Sequence, residues 1–530
     1  MFGNSRIRRE GQGVHNRDPV ADLLRKLKAS KTLQHITNIT NTSKIMAPSL
    51  EDTSVSNGVD SYAKSPATRV VIPTPIHPTR SLQFLEKLNG EGNNTTHHPL
   101  QAKVKLRVGI VGAGLGGLSC AIALARRGHE VVVFEQATKL GEVGAGIQIP
   151  SNSARLLQSW GLEPFLGPHV VEPDGMTFRR WENGDPIGYT KLVPDFRENF
   201  KAPYYVVHRA HFHTALYERA LELGVTVKVA SRVEEYDTAA PSLKLANGEE
   251  FNADLIVAAD GVKSAARKLV LGGKDAPVRS TGFAAYRATV DVEKMKADPE
   301  LSWLLEKPSL NIWIGEDRHV MTYTIAAGKS FNMVLSHVDA TDPLTWKPET
   351  AIPDMRREFS GWDSRLVKII NMIEKTIKWP LLSGPALKTW IAPGKKVLIM
   401  GDAAHAMVPY MSQGAAMAVE DGGALATVLS LIDDASEIPA ALESFEKERI
   451  KRGGAMQQAS LLNGKLWHFA DGPEQRLRDE SMRPEVEGRS FSWSANQWSD
   501  PVTQWWAYGY DAEEEMEIAW ARDQESTKSY

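Results

Sequence analysis

The stretch LRVGIVGAGLGGLSCAIALARRGHEVVVFE, residues 106–135, constrains the fold more than any other part of this chain. An apolar run, a glycine-rich turn, an amphipathic segment and a second apolar run ending in an acid follow one another. That order predicts a strand, turn, helix and strand with the two strands parallel. Gly112 allows the bend, Gly114 lets the backbone approach a pyrophosphate, and Gly117 lets helix and strand pack closely. The helix start offers free N–H groups and the positive end of its dipole to a dianion. Glu135, 18 residues after Gly117, is spaced to accept both hydroxyls of a ribose and to repel a 2′-phosphate. The unit predicts dinucleotide binding and leaves FAD and NAD both open.

Composition excludes several other classes. The 530 residues carry a net charge of −3, so no basic excess is present to neutralise nucleic-acid phosphates. Cys120 is the single cysteine, which excludes an intramolecular disulfide and a cysteine metal cluster, and no metal site is expected. No run approaches the ~20 apolar residues of a membrane-spanning helix. A reducing, cytoplasmic location is expected. Residues 1–103 are rich in Ser, Thr, Asn, Pro and basic residues and are expected to be a disordered extension. Its basic start suits a solvated tail, or an upstream start before Met46, better than a mitochondrial transit peptide. The sequons at Asn38, Asn41 and Asn94 are expected to be unused, since no apolar signal core precedes them.

Two later segments choose between the cofactors. LIVAADGVKSAAR (255–267) carries Asp260, Gly261, Ser264 and Arg267 after an apolar strand. KKVLIMGDAAHAMVPYMSQGAAMAVEDGGALATVL (395–429) carries Gly401, Asp402, His405, Pro409, Gln413 and Gly414, then a long helix with Asp421. The first resembles the Asp-Gly motif and the second the Gly-Asp motif of flavoprotein hydroxylases. GEVGAGIQIPSNSARLL (141–157) and HRAHFHTALYERA (208–220) are similar to further segments of the salicylate hydroxylase group. The resemblance covers residues 105 to 470. It departs from the common pattern at Ala415-Ala416, where an Asn often follows the second glycine.

The resemblance implies FAD as cofactor, with NADH or NADPH and dioxygen as co-substrates and a small aromatic compound as substrate. Asp402 would accept a ribityl hydroxyl in a charge-assisted bond. Gly414 and Ala415 would bring backbone N–H groups to the pyrimidine edge, and Pro409 would shape the ring's surroundings. Gly146 and Gln148 would lie near the flavin, and Arg209 would reach it. Asp260 would belong to the same site. His405 is expected to hold backbone, and Met407, Met411 and Met417 to fill core. Oxygen transfer would pass through a flavin hydroperoxide. A salicylate substrate would lose carbon dioxide.

The implied fold is α/β: a Rossmann-like FAD-binding domain, interleaved with a mostly antiparallel sheet that carries the substrate, and a helical C-terminal region. The FAD portion is read at 104–180, 205–270 and 385–430. The substrate portion is read as a hairpin at 181–204, turning at Asn183-Gly184, and a sheet over 271–384. Residues 431–530 are read as helical, with Trp493, Trp498, Trp505, Trp506 and Trp520 in packing or subunit contacts. In GFAAYRATV, the positions Phe283, Ala285, Arg287 and Thr289 share one strand face. Arg287, with Tyr323 on a strand read as adjacent, resembles the substrate-contacting pair of fungal members and would stabilise a phenolate. A homodimer is one open assembly state. An epoxidase or a hydroxylase of a secondary-metabolite ring remains an alternative, as does a non-catalytic nucleotide-binding escort protein.

Overall fold

A computed structural model describes residues 101–141, 145–274 and 277–528. The basic start, Met46, the sequons and all but the last three residues of the extension read at 1–103 lie outside the described residues. Those last three are tied down: Ala102 is buried and its N–H donates to the Arg127 carbonyl at 2.9 Å.

The segment 106–135 forms the strand Arg107–Val111, the helix Leu115–Arg126 and the parallel strand Glu130–Phe134. They belong to a five-stranded parallel sheet, ordered Val397–Ile399, Leu255–Ala258, Arg107–Val111, Glu130–Phe134, Thr226–Lys228. Its central strands are near-continuous apolar runs because both faces are covered. The helices Leu115–Arg126 and Gly414–Ser430 cross in close contact on this sheet. A β-carbon at Gly422 would lie 2.9 Å from Cα of Cys120, and one at Gly116 would lie 3.1 Å from Cβ of Ala418. Small residues at the crossing thus bring the starts of the two helices together.

A second sheet has seven strands, ordered Ile377–Ser383, Arg279–Asp291, Ser330–Val338, Arg318–Ile325, Ser309–Gly315, Gly175–Arg180, Pro186–Lys191. Every pairing is antiparallel except that of Ser309–Gly315 with Gly175–Arg180. The hairpin turns through Gly184 at φ +73°, and its first strand starts at Gly175 rather than after 181. Strand alternation gives the sheet two apolar faces. Tyr286, Trp313, Val320 and Leu335 pack with Met355, Leu366 and Ile369 from the helices Ala351–Glu358 and Ser364–Asn371. Ala285, Ile312, Met321 and Tyr323 pack with Val408, Tyr410, Met411 and Met417. The Gly-Asp segment therefore lies against the same sheet face as Ala285 and Tyr323.

The C-terminal region is helical at Ile438–Trp467, Pro473–Glu487, Pro501–Tyr508 and Ala512–Lys528. Trp498 is fully buried, and its indole N–H donates to the Tyr204 hydroxyl at 3.3 Å. Met411 and Met417 are buried core, as expected of the methionine cluster. Among the described residues no helix is long and apolar enough to cross a membrane.

Candidate active site

Each glycine of the turn meets a different constraint. Gly112 sits at φ +102°, and a β-carbon there would lie 2.5 Å from the Ala259 carbonyl oxygen. One at Gly117 would lie 1.9 Å from the Gly112 oxygen, whereas one at Gly114 would meet nothing within 4 Å. Fold closure therefore requires Gly112 and Gly117, and Gly114 faces open space at a helix start. The Glu135 carboxylate anchors this turn, accepting the Ala113 N–H at 2.9 Å and the Ala137 N–H at 2.8 Å. Each of its oxygens keeps a second lone pair for a ligand hydroxyl. His213, on the helix Arg209–Glu222, also reaches the turn, 2.7 Å from the Ala113 oxygen.

The Asp-Gly and Gly-Asp turns are neighbours at the ends of adjacent parallel strands, Leu255–Ala258 and Val397–Ile399. Asp260 Oδ2 accepts the Ala265 N–H at 2.9 Å, at the start of the helix Ala265–Val270 that Ser264 caps. Its Oδ1 is buried without a partner among the described residues. Arg267 spans the two turns, donating to the carbonyls of Val262 at 3.0 Å and Ala403 at 3.3 Å. Asp402 is exposed at the start of the helix Asp402–His405, which begins at Gly401 with φ +59°. Pro409 opens a short 3-10 turn, Pro409–Met411, and Gly414 and Ala415 start the following long helix partly exposed.

Behind these turns lies a fully buried charge network. Asp421 accepts the Gly401 N–H at 3.0 Å, pairs with His405 Nε2 at 2.6 Å and accepts Arg449 Nε at 2.8 Å. Glu420 accepts Arg449 Nη1 at 2.9 Å, Arg452 Nη2 at 2.9 Å and Asn152 Nδ2 at 2.7 Å. Asn152 Nδ2 also donates to Gln413 Oε1 at 2.9 Å. Burial alone would raise the Asp421 pKa, but His405 and Arg449 outweigh it and hold it down at about 2. His405, expected to hold backbone, pairs its ring with Asp421, and it is Asp421 that accepts the Gly401 N–H. The sequence reading missed Asn152, Glu420, Arg449 and Arg452, and it placed Gln413 in the motif without a role. One signal was present: two adjacent acids inside an otherwise apolar helix must find buried partners.

The seven-stranded sheet faces the flavin-type motifs through a second cluster. Gly146 N–H donates to Asn332 Oδ1 at 2.7 Å, and a β-carbon at Gly146 would lie 2.5 Å from a Tyr323 ring carbon. Only a glycine permits that approach. Arg209 starts its helix next to this point, its N–H donating to the Ala145 carbonyl at 3.0 Å. Burial lowers the Arg287 pKa, the Tyr323 hydroxyl opposes that shift, and the charge of Arg209 adds to it. Gly146, Arg209, Arg287 and Tyr323, far apart in sequence, thus converge. The strand of Tyr323 is not the neighbour of the Arg287 strand: Ser330–Val338 lies between them. Strands Arg318–Ile325 and Ser330–Val338 form a hairpin, and its second leg pairs with Arg279–Asp291. Burial raises the Tyr323 pKa, against the opposing charge of Arg287, so its hydroxyl stays protonated as a donor. The Arg287 guanidinium makes no hydrogen bond or ion pair among the described residues, and the residue is only half-buried, so its donors are open to a ligand. Gln148 accepts from the Tyr204 hydroxyl and donates to Met321 Sδ at 2.8 Å.

This arrangement fits FAD. The open approach at Gly114, the second lone pairs of Glu135, the orphaned Asp260 Oδ1 and the exposed Asp402 are space and acceptors that an adenine dinucleotide with a polyol chain can use. The family model described as an FAD binding domain matches residues 105–460. The chain is 34% identical to the FAD-dependent monooxygenase OpS4 of Beauveria bassiana, over 77% of this chain and 95% of that protein. It is 34% identical to the 3-amino-4-hydroxybenzoate 2-monooxygenase PtnB3 of Streptomyces platensis, over 75% of this chain and 96% of that one. In fold it is similar to a salicylate hydroxylase solved as a substrate complex, with a TM-score of 0.63 and 24% identity over 79% of this chain and 98% of that chain.

Proposed function

The chain belongs to the FAD-binding-domain family of FAD-dependent aromatic monooxygenases, and we propose that it hydroxylates a small phenolic or aromatic carboxylate substrate, salicylate-like in class, with NADH or NADPH as hydride donor and dioxygen as oxygen source. In the balanced reaction, ring C–H, dioxygen, NAD(P)H and a proton give ring C–OH, water and NAD(P)+. The observation that carries this reading is the unpaired Arg287 beside Tyr323 on a mostly apolar sheet face.

Bound FAD supplies the redox and oxygen-transfer chemistry. The chain's own residues do the rest. Gly112, Gly114 and Gly117 admit the pyrophosphate, Glu135 takes the adenosine ribose, and Asp402 takes the ribityl chain. Arg209 and Asp260 complete the cofactor's polar contacts, and Pro409, Gly414 and Ala415 border the ring. Arg287 holds the substrate's anionic oxygen, Tyr323 donates a hydrogen bond to it, and the surrounding apolar side chains exclude water.

The magnitudes favour a role for both groups. A phenol of pKa ~10 needs ~4 kcal/mol of selective stabilisation to ionise near neutrality. One charged hydrogen bond supplies about 1.5–3 kcal/mol, and a Tyr hydroxyl adds part of the remainder. A substrate-stimulated NAD(P)H oxidation assay over a panel of phenols and aromatic carboxylates tests the reading. Stimulation by at least one ring acid, with a hydroxylated product, is expected. A protein that takes up no FAD, or one that no aromatic compound stimulates, would sink it.

A further inference from the structure

The face of the seven-stranded sheet that carries Arg287 does not end at Arg287. In antiparallel sheets, residues directly opposite one another point to the same side, with β-carbons about 4.5–5.5 Å apart. Ile377 is opposite Arg287, and Trp379 is opposite Ala285, on the edge strand Ile377–Ser383. Along that strand the same face is buried at Leu381, which packs with Ala285, Val408 and Tyr410. It then opens, and Ile377 and Trp379 are each 46% exposed. The far end of the strand is clasped to the Gly-Asp segment, with Gly384 N–H donating to the Ala406 carbonyl at 2.9 Å and Gln457 Nε2 donating to the same carbonyl at 3.0 Å. The edge strand is therefore fixed relative to the motif that borders the cofactor ring.

Arg287, whose guanidinium has no bond among the described residues, thus stands on the strand next to two exposed large apolar side chains of the same face, Ile377 opposite it and Trp379 two residues along. An anion bound at Arg287 would leave part of its ring over Ile377 and Trp379. We propose that Ile377 and Trp379 bind an apolar arm of the substrate, so that the preferred substrate is an aromatic hydroxy acid or phenol bearing an alkyl or second-ring substituent rather than the bare ring acid. This rests on the reading of Arg287 as the anion's partner. The arm gives the exposed indole a reason to sit at the edge of an otherwise covered face, since apolar area buried there adds affinity in proportion to its size. Charge complementarity at one end and apolar contact at the other fix the direction of the ring.

The test compares kcat/KM for 2-hydroxybenzoate and for 2-hydroxybenzoates carrying methyl, propyl or pentyl groups at each free ring position, with the product identified in every case. The holoenzyme is expected to gain about two- to fourfold per added CH2 at one ring position, fourfold being the limit for a fully buried methylene. In Ile377→Thr with Trp379→Ser, the ratio of pentyl to unsubstituted kcat/KM should fall towards one, and Trp379→Phe should restore part of it. Both residues are surface positions, and FAD content with far-ultraviolet circular dichroism checks that the variants fold. If the holoenzyme hydroxylates the bare acid but shows no dependence on chain length, or if the doubly substituted protein keeps it, the inference is overturned while the proposed function stands. If Trp379→Ser instead dissociates a dimer in sedimentation and leaves the ratio unchanged, the patch is a subunit contact and the inference fails. If no ring acid is turned over at all, the proposed function itself fails.

Discussion

Tyr323 lies directly over Gly146, so that a β-carbon at position 146 would sit 2.8 Å from the phenolic oxygen and 2.5 Å from a ring carbon. This contact joins the sheet that carries Arg287 to the chain that follows the dinucleotide turn. Gly146→Ala should push Tyr323 and Asn332 aside at a cost of about 1–3 kcal/mol. Turnover should fall by at least about tenfold while some FAD is retained. Steady-state kinetics at equal flavin content checks this, and unchanged turnover would remove Tyr323 from the site.

The glycine turn separates folding from cofactor binding. Gly114→Ala meets nothing within 4 Å and should leave the apoprotein's melting temperature unchanged while weakening FAD affinity. Gly117→Ala, with its β-carbon 1.9 Å from the Gly112 oxygen, should fail to fold. Melting of apoprotein and fluorimetric FAD titration distinguish the two. An equal loss of stability in both would mean that Gly114 is structural.

Arg287→Met should cut turnover by about 10- to 100-fold with FAD content unchanged. More hydrogen peroxide should be released per NAD(P)H oxidised, because an unactivated ring competes poorly for the oxygen. Arg287→Lys should rescue in part, since an ammonium keeps the charge without the planar fork. Wild-type turnover and coupling in Arg287→Met would show that another group stabilises the phenolate.

The buried network makes an acid-side prediction and a mutational one. Asp421 has a folded pKa of about 2, below the ~3.9 of a free Asp. Its contribution is therefore complete above about pH 4 and is lost as pH falls towards 2. Arg449→Met leaves Glu420 and Asp421 buried with fewer partners and should cost about 3–5 kcal/mol. A urea melt that shifts by less than ~1 kcal/mol would show that the network adds little.

Glu485 works in the opposite direction. Burial raises its pKa to about 7, against the lowering effects of bonds from Ser494, Asn496 and the Tyr189 N–H. A carboxyl with a raised folded pKa contributes stability below its unfolded value and loses it as pH rises through about 7. The protein should melt higher at pH 5.5 than at pH 8, and Glu485→Gln should flatten the difference, worth on the order of 1–3 kcal/mol. An identical pH dependence in the variant would exclude Glu485 as its source.

What was legible in the sequence follows the range of the interactions. The unit 106–135 was legible because its strand, turn and helix are set by neighbours in the chain. The two faces of the large sheet were legible because side chains alternate with a period of two. The order of strands was not: that Ser330–Val338 intervenes between Arg287 and Tyr323 depends on which hairpin leg meets Arg279–Asp291. Arg449 and Arg452 sit in a stretch, KERIKR, that reads as a solvated helix face, and their burial depends on Glu420 and Asp421 nearly 30 residues earlier. The side chain of Gln148 is held by Tyr204 and Met321, 56 and 173 residues away. No local pattern reports a pairing of that kind.

The most direct measurement is turnover of a ring acid under oxygen-18 gas in unlabelled water, with the product weighed by mass spectrometry. An FAD-dependent monooxygenase places one atom from dioxygen on the ring, so the product should gain one heavy oxygen and should form only when NAD(P)H is present. A product labelled from water, or NAD(P)H oxidation that no aromatic compound accelerates, would contradict that assignment.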